Sequence, residues 1–466
     1  MRPGYIEKSK RKKILLLSDD LRLPSGVGIM SKEIVVGLCH KYNFAQIGGA
    51  IQHPEQGKII NLNDATKIES GVEDPQVTIY PTSGYGNPII LRQIMDIEKP
   101  DAILHFTDPR FWIWLYQMEA ELRTKLPLLF YHIWDDLPYP KYNENYYRSC
   151  DWIASISKQT YNIVKNVWVK EPLPEDWQLE YIGHGVDHKA FHKAKEPESI
   201  IKTETVRNQL FQGKDVEFSV LYNNRNIHRK QPGNTILAFQ KFIQGLPEEK
   251  RSKCRLVMHT QMVDENGTDL PVVFRDVAPD VPVIFSEQRL ETELLNALYN
   301  VVDCTINLAS AEGFGLATME SLMAETMIIA NVTGGLQDQM GFTDEKGEYL
   351  THDKHFSKGW GSNHNRKFIN HGDWVVPVFP NNLTLIGTPP TPYIFDDRCD
   401  FNEAARAIRE VYDLGPEERA RRGMHGRGYA LTQGFSAEAM CEKFDKGFQT
   451  VFEKWTPRAR FTLHKV

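Results

Sequence analysis

Short apolar runs, each followed by a stretch of helical periodicity, punctuate this chain and constrain its fold more than any other feature. The first is KILLL at 13–17, with further strand candidates at 76–80, 102–106, 128–133 and 152–156 and helix between them, as at 89–98. A second series runs through 217–222, 255–259, 283–285, 304–308 and 327–331. Strand and helix alternating in this way predict parallel sheets covered by helices on both faces. Between the series, a strand near 179–182 leads into a charged, aperiodic stretch at 193–215, which reads as a linker. A chain of 466 residues is too long for one ordinary domain. The expected division is 1–200, 215–435, and a C-terminal helix with a basic tail at 436–466. The pattern breaks at 349–398, which is rich in Gly, Pro, Asn and His and reads as a functional loop or an ordered insertion.

Composition narrows the function classes. A net charge of −6 argues against a purely electrostatic nucleic-acid binder, although a local basic face stays open. The six cysteines are scattered without metal-ligand spacing, which suits a reducing compartment. No apolar stretch reaches the roughly 18 residues of a spanning helix, and the N-terminus lacks a signal-peptide core. The expectation is a soluble, cytoplasmic protein without a membrane partner, bound metal or cofactor.

In doubly wound sheets, ligands bind beyond the carboxyl ends of the strands. That singles out Asp19, His105, Asp108, His132, Asp135, Asp136 and Ser157 in the first half, each of which is equally readable as a cap or turn residue. The glycine loop PSGVG, with Gly26 and Gly28 opening a helix, has the form of a phosphate cradle. It fails the dinucleotide fingerprint because Ser31 stands where the third glycine belongs, which disfavours a dehydrogenase. In the second half, NLASAEGFGLATMESLMAETMIIAN places Glu312 before a helix start and Glu320 on the flank of the apolar stripe Leu316, Met319 and Met323. A carboxylate on that flank needs a partner, and N–H groups around Gly313, Phe314, Gly315 and Leu316 favour an anion.

With EGFGLATME, NNRNIHRK, IGHGVD, PSGVG and FYHIWD in this order, the chain resembles the retaining nucleotide-sugar glycosyltransferases of family 4. The resemblance implies a GT-B fold, two Rossmann-like domains facing a cleft with a C-terminal helix returning toward the first. It implies a nucleotide-diphosphate sugar as donor. Arg225 and Lys230 would neutralise the departing diphosphate, Glu320 would hold the ribose hydroxyls and Glu312 the donor sugar. Backbone N–H groups at 313–316 would face the sugar or phosphate, and His132 with the Gly26–Gly28 loop would contribute from the first domain. No D-x-D pair is present, which suits a metal-independent, retaining reaction without an enzymic nucleophile.

SDDLRLPSGVGIMSKE, YHIWDDLPYP and TPYIFDDR look like a branch from large DNA viruses of bacteria, some members of which glycosylate hydroxymethylated pyrimidines in DNA. Such an acceptor, met in a host cytoplasm, would call on the basic runs KSKRKK, ARRGMHGRG and TPRARFTLHK for phosphate contacts, and on Phe111, Trp112, Trp114 and Tyr116 for stacking on a flipped base. A transferase with a carbohydrate or small-molecule acceptor, or a non-catalytic binding protein of the same fold, are the alternatives.

Overall fold

The computed structural model describes residues 3–459 and divides into two compact units. The basic tail TPRARFTLHK lies outside the described residues from position 460 onward. The first unit comprises 1–134, 139–185 and 437–466. Its eight strands are β1 (Lys12–Asp19), β2 (Tyr42–Gly49), β3 (Ile60–Asn61), β4 (Val77–Pro81), β5 (Ala102–Phe106), β6 (Leu128–His132), β7 (Trp152–Ser155) and β8 (Leu179–Tyr181). Their order is β3-β4-β2-β1-β5-β6-β7-β8, parallel throughout except that β3 runs antiparallel to β4. Because helices cover both faces, β1 and β6 are buried along nearly their whole length, which is why they read as unbroken apolar runs.

The helix Ala437–Lys454 belongs to this unit and packs on helix Gly26–Leu38. A Cβ on Gly37 would meet Cys441 Sγ at 2.3 Å, so glycine sets how closely the two helices approach. Asp445 then accepts hydrogen bonds from Lys41 Nζ (2.6 Å) and the Tyr42 hydroxyl (2.8 Å).

The second unit comprises 135–138 and 186–436. Its sheet holds β9 (Phe218–Asn223), β10 (Cys254–His259), β11 (Val283–Phe285), β12 (Cys304–Asn307), β13 (Met327–Asn331) and β14 (Val375–Val378), in the order β11-β10-β9-β12-β13-β14, all parallel. An antiparallel hairpin, β15 (Asn382–Thr388) with β16 (Thr391–Arg398), follows. In each sheet the chain reverses its direction of winding once, between β1 and β5 and between β9 and β12. These are the positions where doubly wound sheets open a crevice at their carboxyl edge. Among the described residues, no helix is long and apolar enough to cross a membrane.

Three local expectations are corrected. The stretch 193–215 is not an irregular linker: helix Pro197–Phe211 occupies most of it. Only Phe211 of that helix is buried, so no apolar stripe marks it in the sequence; proline at its first turn and pairing of Lys202 with Glu198 and Glu293 support it instead. Strand β2 is absent from the expected set because its buried residues include Asn43 and Gln46. Gln46 Nε2 donates to Ser18 Oγ and to the Asp19 carbonyl, so tertiary hydrogen bonds compensate its burial. The irregular segment 349–398 supplies the edge strand β14 and the hairpin.

Candidate functional site

At the crevice of the second sheet, the loops after β9 and β12 bring three charged side chains together. Lys230 ends the single 3-10 turn His228–Lys230 after β9, and its ammonium pairs with Glu312 Oε2. Arg229 Nη1 lies 3.7 Å from the same oxygen and donates to the Ala311 carbonyl. Both partners of the Lys230–Glu312 pair keep only 11% side-chain exposure, so each depends on the other for its charge. Burial is the strongest influence on Glu312 and opposes its ionisation. The Lys230 ammonium and the Arg229 guanidinium outweigh it and hold the carboxyl below its usual range. Burial conversely pulls Lys230 below the usual ammonium range, with Glu312 working against it.

The turn after Glu312 is locked from behind. Gly315 caps helix Leu316–Met323 with φ +89°, a conformation that favours glycine. Gln339 Nε2 donates to the carbonyls of Phe314 (2.7 Å) and Gly315 (3.0 Å), and Gly335 N donates to the Glu312 carbonyl at 2.9 Å. A Cβ on Gly334 would stand 2.1 Å from the Glu312 carbonyl oxygen, and one on Gly335 would stand 2.1 Å from that of Gly313. The Gly334–Gly335 pair therefore lets the segment after β13 press against the turn. Glycine again is the means of close approach.

Glu320, half-buried on the helix flank, has an internal partner. Tyr299 donates its hydroxyl to Glu320 Oε2 at 2.7 Å and accepts from Asn223 Nδ2 at the end of β9, also at 2.7 Å. Burial pushes the Glu320 carboxyl up to about 7, and the Tyr299 hydrogen bond only partly offsets it.

A further group of acids adjoins this centre. Asp135 and Asp136 follow β6 in sequence but fall within the second unit. The Asp135 side chain packs where a Cβ on Gly334 would stand, 3.5 Å away. Burial raises both aspartates, and Arg229 draws both back toward ionisation. Asp397 on β16 accepts from Thr333 Oγ1 at 2.6 Å, and burial pushes it up to about 7.

Arg225 is not part of this cluster. Its guanidinium, 62% exposed, turns to Asp264 with Nε–Oδ2 at 2.8 Å. Arg229, its neighbour four positions on, stands beside Lys230 in its place. Arg229, Asp397, Tyr299, Gln339 and the Gly334–Gly335 pair escaped the sequence reading. Only the Gly-Gly dipeptide after a strand carried a local signal, that of a close backbone approach.

In the first unit, His132 ends β6 fully buried. Its Nε2 pairs with the Tyr147 hydroxyl at 2.8 Å, and burial lowers its pKa to about 3, so the ring is neutral. Gly26 opens helix Gly26–Leu38 behind the N-cap Ser25, whose Oγ accepts from Gly28 N. A Cβ on Gly28 would meet the Leu23 carbonyl oxygen at 2.5 Å. His105 is buried against Tyr116, whereas Asp108 and Ser157 are helix caps. Phe111 is exposed, whereas Trp112 and Tyr116 are buried.

The arginines of ARRGMHGRG have internal partners: Arg421 and Arg422 pair with Glu418, and Arg427 donates to the carbonyls of His188, Phe191 and Met323. In KSKRKK, Lys10, Arg11, Lys12 and Lys13 pair with Glu7, Asp74, Asp101 and Glu98.

No family model matches the chain, and no curated protein matches it. Solved structures do. HepE of Anabaena in complex with UDP-glucose superposes with a TM-score of 0.64 at 13% identity, over 94% of this chain and 99% of that one. Sucrose-phosphate synthase of Thermosynechococcus elongatus gives 0.64 at 15%, over 95% and 100%. A UDP-forming α,α-trehalose-phosphate synthase of Burkholderia vietnamiensis gives 0.64 at 12%, over 95% and 99%. These likenesses show the fold, the GT-B class of two Rossmann-like units.

Proposed function

We propose that the chain is a glycosyltransferase that moves a sugar from a nucleotide-diphosphate sugar to a hydroxyl acceptor, with retention of configuration and without a metal. The observation that carries this reading is the convergence of Lys230, Arg229 and Glu312 at the β9/β12 crevice, against a helix start locked by glycines. A departing diphosphate gathers negative charge as the anomeric bond breaks, and fixed cations aimed at developing charge are usually the largest catalytic contribution. Arg229 offers a guanidinium fork to phosphate oxygens and Lys230 a point charge. Arg225, on the rim, is the further cation the resemblance nominates.

Glu312 accepts hydrogen bonds from hydroxyls of the transferred sugar. Glu320 has one oxygen on Tyr299 and offers the other to the ribose. N–H groups at 313–316 meet the sugar or phosphate. His132 and the Gly26–Gly28 loop are the first unit's contribution to the donor. The bond from the anomeric carbon to the phosphate oxygen breaks as the bond to the acceptor oxygen forms on the same face. The acceptor proton passes to the leaving phosphate, so no side chain need act as nucleophile. The lack of a D-x-D pair and the presence of protein cations support a metal-independent course.

UDP-glucose is the first donor to test, since HepE was solved with it. For the acceptor, the resemblance of SDDLRLPSGVGIMSKE to the viral branch favours a 5-hydroxymethylpyrimidine in DNA. The internal pairing of the basic runs favours a second reading, a carbohydrate or other small hydroxyl acceptor. A donor-by-acceptor matrix read by mass spectrometry separates them. Transfer confined to hydroxymethylated DNA, falling steeply with salt, supports the first. Transfer to a sugar but not to such DNA sinks it. Donor binding without turnover on any acceptor would make the chain a binding protein.

A further inference from the structure

The carboxyl edge of the first sheet carries a second set of groups. Ser18 of β1 pairs with Phe106 of β5, and Phe106 with Tyr131 of β6. One step on, Asp19, Thr107 and His132 form a row across three strands, and the pleat turns all three to one face. Two members of the row have a buried polar atom without a hydrogen-bond partner, Asp19 Oδ1 and His132 Nδ1. Asp19 is 7% exposed and His132 not at all. Their remaining atoms are held: Asp19 Oδ2 accepts from Ser25 Oγ at 2.6 Å, and His132 Nε2 pairs with Tyr147. Strands β1 and β6 lie two spacings apart, about 9.6 Å. That is too far for the two groups to satisfy each other. It is the span of one small ring hydrogen-bonded at opposite edges.

An aromatic platform adjoins the row. Tyr85 stacks on Phe111 with ring centroids 5.0 Å apart and planes 1° from parallel. Phe111 leaves 55% of its surface to solvent, and Trp112 lies 5.4 Å from Tyr85. The Tyr85 hydroxyl interacts with both Asp19 and Thr107, which links platform to row. The cations nearby are spoken for: Arg22 pairs with Asp20 and Glu55, and Arg110 with Asp108. Nothing here favours an anion. Stacking surface together with an open carboxylate oxygen suits a neutral ring that carries a hydroxyl.

We propose that Asp19 and the Tyr85–Phe111 pair form the acceptor-recognition site of the first unit, the ring stacking on Phe111 and donating a hydroxyl hydrogen bond to Asp19 Oδ1. The assignment of this ligand as acceptor rests on the glycosyl-transfer reading above; its binding does not. A pyrimidine base bearing a hydroxymethyl group and a pyranose both present this chemistry. Phe111 sits on the surface, and Asp19→Asn keeps shape and the Ser25 contact while turning an acceptor into a donor, so both variants are expected to fold.

The test is saturation-transfer NMR titration of the full chain with 5-hydroxymethyl-2′-deoxycytidine and, separately, methyl α-D-glucopyranoside. One of the two is expected to bind the unaltered protein, and its affinity is expected to fall about tenfold or more in Asp19→Asn and in Phe111→Ala. Calorimetry with UDP-glucose on the same samples serves as the fold control and as the separate test of the donor reading. No donor binding alongside a ring that binds through Asp19 sinks glycosyl transfer and keeps the site. Donor binding with no bound ring, or with equal ring affinity in all three proteins, overturns the site and leaves the transferase reading standing.

Discussion

At the β9/β12 crevice of the second unit, Lys230, Arg229 and Glu312 neutralise one another, and glycines press the backbone into a locked turn. At the β1/β5 crevice of the first unit, Asp19 and His132 each keep a buried atom without a partner, beside an exposed aromatic ring. Two sheets with the same winding thus end in opposite furnishings. A preorganised ionic cluster answers a reaction that develops charge on a leaving group. A row of unsatisfied neutral or singly charged groups answers a ligand that brings hydroxyls. The comparison teaches that the switch point fixes where chemistry can occur, while the side chains after the strands decide which chemistry.

The strongest challenge to this contrast is Lys230→Met. Transfer from UDP-glucose is expected to fall by about 10²–10³-fold in single-turnover assays. Glu312, left buried and unpaired, is expected to cost roughly 3 kcal/mol in urea denaturation. A variant within fivefold of the unaltered rate removes the ionic cluster from catalysis.

Backbone closeness comes next. Gly335→Ala must move either the Gly313 carbonyl or the Phe314 Cα, which stand 2.1 and 2.7 Å from the new methyl. A loss of about 2–3 kcal/mol is expected. An unchanged midpoint would show that the turn is loose.

The two arginines after β9 sharpen the picture further. Arg229→Ala is expected to weaken UDP-glucose binding by about tenfold, and Arg225→Ala by less than about threefold, because Arg225 is solvent-exposed and committed to Asp264. Calorimetry that ranks them the other way restores Arg225 as the diphosphate ligand.

A smaller effect concerns pH. Burial holds the Glu320 carboxyl up to about 7, above the ordinary 4.5. Between those values the folded protein keeps a proton that the unfolded chain has released. Stability from this group is therefore full below about pH 4.5 and is lost as pH rises through 7. Glu320→Gln cannot titrate, so its unfolding free energy should decline less than that of the unaltered protein between pH 5 and 7.5. Parallel curves in denaturant titrations would mean that Glu320 titrates normally.

Smallest is Gly428→Ala, within helix Gly415–Thr432. A Cβ there meets nothing within 4 Å, and a gain of about 0.5–1 kcal/mol is expected from helix propensity alone.

Much of this molecule was legible in its sequence, and the reasons differ by element. The strands β1, β6, β12 and β13 are buried on both faces, so each reads as an apolar run with little else to mean. The turn Glu312–Leu316 is a local motif whose glycines serve local needs. Arg229 was missed because alternate residues of one short loop are equivalent until the loop's path is known. Here a single 3-10 turn points Arg229 and Lys230 to Glu312 and leaves Arg225 outside. Helix Pro197–Phe211 was missed because it buries almost nothing, and periodicity is a signal only of burial.

The sequence by itself determined the alternation of strand and helix in two series, and with it the fold class, because that alternation follows from which residues must leave water. It also determined that acids stand beside a glycine-rich helix start. Only the tertiary structure decided which cation meets which acid, that Tyr299 rather than a ligand satisfies one oxygen of Glu320, and that Asp19 and His132 share a row. Those facts depend on strand register and on contacts between residues far apart in the chain, which no local pattern encodes.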